Sequence, residues 1–227
     1  MTANYIILLR RWQYGCLLFL LYSCNDKLDY QPLIISKKDS IIESERIKNA
    51  HAAIKLVEKD IHSGDLVTRT GADFTSESLR NLNQRDHTYS HCGIASIEHD
   101  SVFVYHALGG DWNPDQKIRK DALQVFADPV DTRGIGVYRY SLPEERIHDI
   151  MTTAKQLRDI GVVFDMKFDL ASNDRMYCAE YVYKSCLMGS KGQLNFHISH
   201  IKEFAFIGVD DLFLQPKCKQ LKRVLFK

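Results

Sequence analysis

Cys178, His91 and His106 are the residues of this chain whose types could together perform acyl transfer. A cysteine becomes a nucleophile when its thiolate is stabilised, and an imidazole within reach supplies a base for the thiol proton. Cys178 stands in MYCAEYVYKSC, where Tyr181, Val182, Ser185 and Cys186 follow at helical spacing. The pattern predicts a helix with Cys178 in its first turn, capped by Ser172 or Asn173. There the positive helix end lowers the thiol pKa. An isolated helical cysteine is more often a core residue, because free cysteine is among the most buried residue types. Its company decides between the two.

The histidines lie in two β-rich runs, SHCGIASI at 90–97 and VFVYHAL at 102–108, which read as a hairpin. With a symmetric loop, Ile97 faces Val102, so His106 lies opposite Gly93 and diagonal to His91, on the same face. Diagonal neighbours on one face are about 7–8 Å apart at the backbone, so the two rings can converge, with Gly93 leaving room. An odd loop length would put them on opposite faces, and a half-buried polar face is the alternative use of two such histidines.

The remaining elements must hold that hairpin against the cysteine helix. Ser40 and Glu43 form a capping-box pattern, followed by Ile47, Ala50, Ile54, Val57 and Ile61 at helical spacing. Residues 64–67 turn into a strand, and the polar stretch 71–88, without clear periodicity, reads as a long loop beside the site. In the loop 109–114, Trp112 either rims a pocket or plugs the edge of the core. Residues 136–140 form a strand. Ser141 and Glu144 repeat the capping-box pattern with Pro143 between them, opening a helix that ends at Gly161. A last strand is expected around 223–226.

Composition bounds the function. A chain of 227 residues with 45% hydrophobic content can bury one substantial core. A net charge of +1 with no dense Lys/Arg face argues against nucleic acid, and the basic C-terminal KCKQLKRVLFK reads as a solvated end. Cys92, Cys178, Cys186 and Cys218 lack the dense spacing of a disulfide framework. His87, His91, Cys92 and His106 have weak metal-ligand spacing and no Cys-x-x-Cys partner, so no metal or cofactor is expected.

At the N-terminus, Arg10 and Arg11 precede the apolar run 12–22, too short to span a bilayer as a stable helix. The run ends in Leu21-Tyr22-Ser23-Cys24, which resembles the lipobox of bacterial lipoproteins, with Tyr22 bulkier than the usual occupant. An ordinary secretory leader cut near Ser23 is the other reading. The expected organisation is a lipoprotein-type signal peptide at 1–24 with Cys24 acylated, a polar linker at 25–38, and one domain with an N-terminal helix at 39–227.

Five short motifs occur in order: Gly64-Asp65-Leu66, Ser90-His91-Cys92-Gly93-Ile94, Val104-Tyr105-His106-Ala107, Phe164-Asp165 and Tyr177-Cys178-Ala179-Glu180-Tyr181. Together they resemble the YiiX/YebB-like NlpC-type cysteine hydrolases over residues 63–211. The resemblance implies an α+β, circularly permuted papain-like fold, a small antiparallel sheet packed against helices. It implies Cys178 as nucleophile, His91 as general base and His106 as the residue orienting it. Family members tend to carry Glu where His106 stands. The His-His-Cys set instead resembles lecithin retinol acyltransferase-like relatives. Tyr177 can offer a hydroxyl to an oxyanion beside the Cys178 amide, or simply pack, and Glu180 is expected to hold the helix to a neighbour. The implied protein is a cysteine hydrolase tethered in the bacterial cell envelope, periplasmic or surface side, by a lipid at Cys24. It would cleave an amide or ester in a cell-wall peptide or an N-acyl or lipid compound through an acyl-enzyme. The alternative is a non-catalytic envelope binding lipoprotein on the same scaffold.

Overall fold

Alternation of apolar side chains between two faces of one sheet organises the chain. The computed structural model describes residues 36–110 and 112–227. The expected signal peptide, Cys24 and most of the linker lie outside the described residues. In chain order the elements are α1 (Lys37–Glu58), β1 (Leu66–Gly71), α2 (Phe74–Leu82), β2 (His91–Glu98), β3 (Ser101–His106), β4 (Arg119–Ala122), α3 (Leu123–Phe126), β5 (Thr132–Tyr140), α4 (Glu144–Asp159), β6 (Val163–Phe164), β7 (Arg175–Met176), α5 (Cys178–Gly189), β8 (Ser199–Ile201), β9 (Phe204–Phe206), α6 (Val209–Phe213) and β10 (Cys218–Leu225).

Six strands form one antiparallel sheet in the order β10-β5-β1-β2-β3-β4. Successive side chains of a strand point to opposite faces. Leu66, Cys92, Ile94, Tyr105 and Tyr138 therefore meet α4 and α5 on one face, while Val67, Ala95, Val104 and Val137 meet α1 and α3 on the other. Both faces are covered, so β1 and the first six residues of β2 are almost wholly buried. α1 contributes Ala50, Ile54 and Val57 to its face; full burial of a side chain such as Ile54 is worth about 1.5–3 kcal/mol.

The hairpin has the expected register, with Ile97 opposite Val102 and Ile94 opposite Tyr105. Its turn is His99-Asp100, both with positive φ (50° and 61°), the geometry of a two-residue turn whose twist matches the strands.

Several expectations are corrected. The stretch 71–88 is not a loop throughout, because α2 occupies its middle, with the Asp73 carboxylate accepting the Ser76 amide at 2.9 Å as N-cap. Ser36 rather than Ser40 starts α1; its hydroxyl accepts the Asp39 amide at 3.1 Å. α4 is preceded by Pro143 with no side-chain cap, so Ser141 does not serve. Neither Ser172 nor Asn173 caps α5. Both accept hydrogen bonds from the Lys184 ammonium instead, and the Tyr177 amide at the head of α5 donates to Glu180 at 3.3 Å. The last strand begins earlier than expected, at Cys218. No described helix is long and apolar enough to cross a membrane.

Candidate active site

The three candidate residues stand at ends of elements, where a side chain can leave the sheet without breaking its ladder. His91 opens β2, His106 closes β3 and Cys178 opens α5. The hairpin register puts the two histidines diagonally on one face. Nε2 of His91 lies 2.8 Å from Nδ1 of His106. Phe126 of α3 packs on both rings, with centroids at 5.5 and 5.1 Å. Gly93 is required for this approach: a Cβ there would stand 2.9 Å from the His106 Cβ and 2.5 Å from Val104 Cγ1.

A residue that sequence reasoning missed completes the chain of hydrogen bonds. Nε2 of His106 lies 3.0 Å from Oδ2 of Asp121, which also takes the Arg119 guanidinium at 2.7 Å. Asp121 pairs with Val104 across β3 and β4, so it shares the face on which His106, two residues further along, also points. Burial raises its pKa, but the bonds from His106 and Arg119 outweigh it and hold the carboxyl below its usual range. An ionised Asp121 only accepts, so His106 carries its proton on Nε2 and presents a lone pair on Nδ1. His91 therefore donates from Nε2. That leaves its Nδ1 lone pair as the base. No periodicity marks Asp121, since all four residues of β4 are half-buried.

Burial pushes the His91 pKa well below its ordinary value, and Arg69, His106 and Arg119 push the same way. Burial lowers His106 too, against the upward pull of Asp121. Both rings are neutral at pH 7.

Cys178 is 7% exposed. Its thiol is lowered, first by the Cys92 side chain, against burial, and then by the amides of Cys92 and Ala179 and the field of Arg69. Cys92, wholly buried in the sheet, is pushed far up. Cys92 and Cys178 belong to the same core cluster, between the sheet and α5. No hydrogen bond links Cys178 to His91 among the described residues; such contacts commonly tighten only around a bound substrate.

A cavity of about 360 Å³ opens beside His91, lined also by Arg69, Ser90, Leu108, Trp112 and Met166. Trp112 is fully exposed and forms its rim. Cys178 lies in an adjoining recess of about 30 Å³, the scale of a single water. Ser90 and Leu79 line both. Tyr177 also borders the recess, its hydroxyl accepting the amide of Ile207, another lining residue, at 2.7 Å. Another cavity, of about 540 Å³, lies towards the other end of β2 around Asp65, Ser96 and Arg139 and holds none of the candidate residues. Its Asp65 and Arg139 are already paired at 2.7 Å.

No family model matches the chain, and no curated protein does. Among solved structures, the crystal structure of the metalloprotein YiiX from Escherichia coli O157:H7 matches with a TM-score of 0.59 at 19% identity, over 72% of this chain and 98% of that one. A metal does not fit the candidate site as it is built. His91 and His106 turn a ring nitrogen of each to the other, His87 is an exposed residue bonded to the Arg80 carbonyl, and no group of three His, Cys, Asp or Glu side chains is placed to hold an ion among the described residues. The likeness is one of fold: this chain has a mixed α/β, YiiX-like architecture.

Proposed function

We propose that the protein is a cysteine hydrolase of the NlpC type on a circularly permuted papain-like fold. The observation that carries this reading is the buried hydrogen-bonded sequence Asp121, His106, His91, whose chain neighbour Cys92 shares a core cluster with Cys178 at the head of α5. His91 Nδ1 takes the Cys178 proton, and the thiolate attacks an amide or ester carbonyl. The developing oxyanion lies against the amides of Cys178 and Ala179. His91 returns its proton to the departing amine or alcohol, leaving a thioester. Water, deprotonated by His91, releases the acid and restores the thiol. While His91 is an imidazolium, His106 accepts its Nε2 proton bond and Asp121 balances the charge one step further away.

Incubating the purified domain with N-acyl peptides, cell-wall peptide fragments and acyl lipids tests this. Turnover should appear with one class, and a mass increment equal to the acyl group should accumulate on Cys178 during it. Turnover unchanged in Cys178→Ala would remove Cys178 as the nucleophile, and no turnover with any class would leave the binding-protein alternative.

We further propose that the domain is tethered through an acylated Cys24 in the cell envelope. Cys24→Ala should move the protein from the membrane to the soluble fraction, or leave it unprocessed. A mature N-terminus at an unmodified residue other than Cys24 would refute the anchor.

A further inference from the structure

Arg69 is a cation beside the candidate site that has no carboxylate at ion-pair distance among the described residues. It lies in β1 directly opposite His91 in β2, and opposed residues project from the same face. Both sit over Phe126, the guanidinium carbon 5.5 Å and the imidazole centroid 5.5 Å from that ring's centre. Neighbouring arginines have carboxylates: Arg119 has Asp121 at 2.7 Å and Arg139 has Asp65 at 2.7 Å. Arg69 forms no ion pair or side-chain hydrogen bond among the described residues, and its Nε is buried without a partner. Cys178, Asp131 and Asp73 reach it only through their fields, in that order, and Asp73 is engaged in capping α2.

A half-buried guanidinium whose Nε has lost water without gaining a partner costs stability, and the fold keeps it at the boundary of two cavities. It lines both the space of about 360 Å³ shared with His91 and one of about 240 Å³ behind His106 and Asp121. The planar fork of arginine matches a carboxylate through two parallel bonds. The first cavity also offers apolar walls from Leu79, Leu108 and Met166.

We propose that Arg69 is a substrate-binding residue that selects a carboxylate, so that the molecule cleaved at Cys178 is an acidic amide or peptide whose carboxylate fills the cavity between Arg69, His91 and Trp112. This rests on the hydrolase reading. The planar fork favours a carboxylate, which accepts two parallel bonds in its plane.

Alkylation of Cys178 by iodoacetate, which carries a carboxylate, and by neutral iodoacetamide tests the inference. Any effect of Arg69 on the thiolate itself cancels in the ratio of the two rates. In the wild type the ratio should exceed that of a free thiol by about tenfold, the scale of a charge-assisted hydrogen bond. Arg69→Met should abolish the excess, and Arg69→Lys, which keeps the charge but not the fork, should fall between. Acetate against chloride at equal ionic strength should raise the thermal midpoint of the wild type and not of Arg69→Met. That variant loses an unpartnered group and is expected to fold. If Cys178 reacts but neither the ratio nor the acetate shift depends on Arg69, the subsite is refuted and the nucleophile stands. If Cys178 is inert while the Arg69-dependent acetate shift persists, the anion site stands and the hydrolase reading falls. Protection of Cys178 by inorganic phosphate stronger than by acetate would overturn the choice of carboxylate.

Discussion

At residue 106 an imidazole passes on what a carboxylate would do in one step. His106 accepts from His91 and hands the charge to Asp121 at 3.0 Å. A glutamate at 106 would face Asp121 directly, and two carboxylates that close cannot both ionise. His106→Glu alone should therefore lose activity and stability, whereas the double variant with Asp121→Asn should recover both, with a coupling of about 0.5–3 kcal/mol. Turnover and thermal midpoints of the two singles and the double measure it; strictly additive effects would mean that Asp121 does not act through 106. Asp121→Asn alone should lower turnover about tenfold or more, because the amide can hold His106 in the wrong tautomer. The four described cysteines give a second expectation at this scale. Cys92 and Cys186 are pushed up by burial and Cys218 is raised to about 12, while Cys178 is lowered. Under native conditions near neutral pH, Cys178 should alkylate fastest, and peptide mapping that finds Cys92 or Cys218 ahead of it would refute the nucleophile.

Among the elements, the β2–β3 hairpin is the part that sets the distance between the rings. Its two-residue turn fixes the register, and Gly93 removes the one Cβ that would wedge the strands where His106 crosses. Gly93→Ala should cost about 1–3 kcal/mol, the range for overpacking a filled core, and should weaken the His91–His106 contact. Denaturant unfolding reads the first, and imidazole proton resonances in NMR read the second. A stable variant with unchanged imidazole signals would show that the glycine is incidental. α2 is the counterexample, an element missed among polar residues. Its local signal was present in Asp73, placed three residues before Ser76, and in Leu79 and Leu82 one turn apart.

Across the whole molecule, the buried groups give stability a pH dependence with opposing parts. Burial raises the Glu180 carboxyl to about 7 despite the pull of Lys184, against an ordinary value of 4.5. Between those values the folded protein keeps a proton that the unfolded chain has lost, so this group's contribution falls as pH rises from about 4.5 to 7. His91 and His106 act the other way: lowered from 6.5, they take up protons more readily unfolded, and stability is lost as pH falls below that value. Comparing Glu180→Gln with the wild type isolates the first part. The difference in stability should move in the variant's favour as pH rises through that window and be level above it; a difference independent of pH would show that Glu180 titrates normally.

The sequence by itself determined the local geometry of the site. A four-residue gap between two alternating runs set the register that puts His91 and His106 on one face, and helical spacing after Cys178 placed that thiol in a first turn. Such features depend on neighbours a few residues away, which periodicity records. Tertiary structure alone decided the rest. Asp121 meets His106 through the β3–β4 pairing, across the connection 107–118, and β4 has no alternation to announce its face. The Tyr177 hydroxyl took as its partner the amide of Ile207, 30 positions away. Arg69 came to lie half-buried opposite His91, its Nε without a partner among the described residues, because β1 lies beside β2, and no pattern within β1 distinguishes that cation from one at the surface.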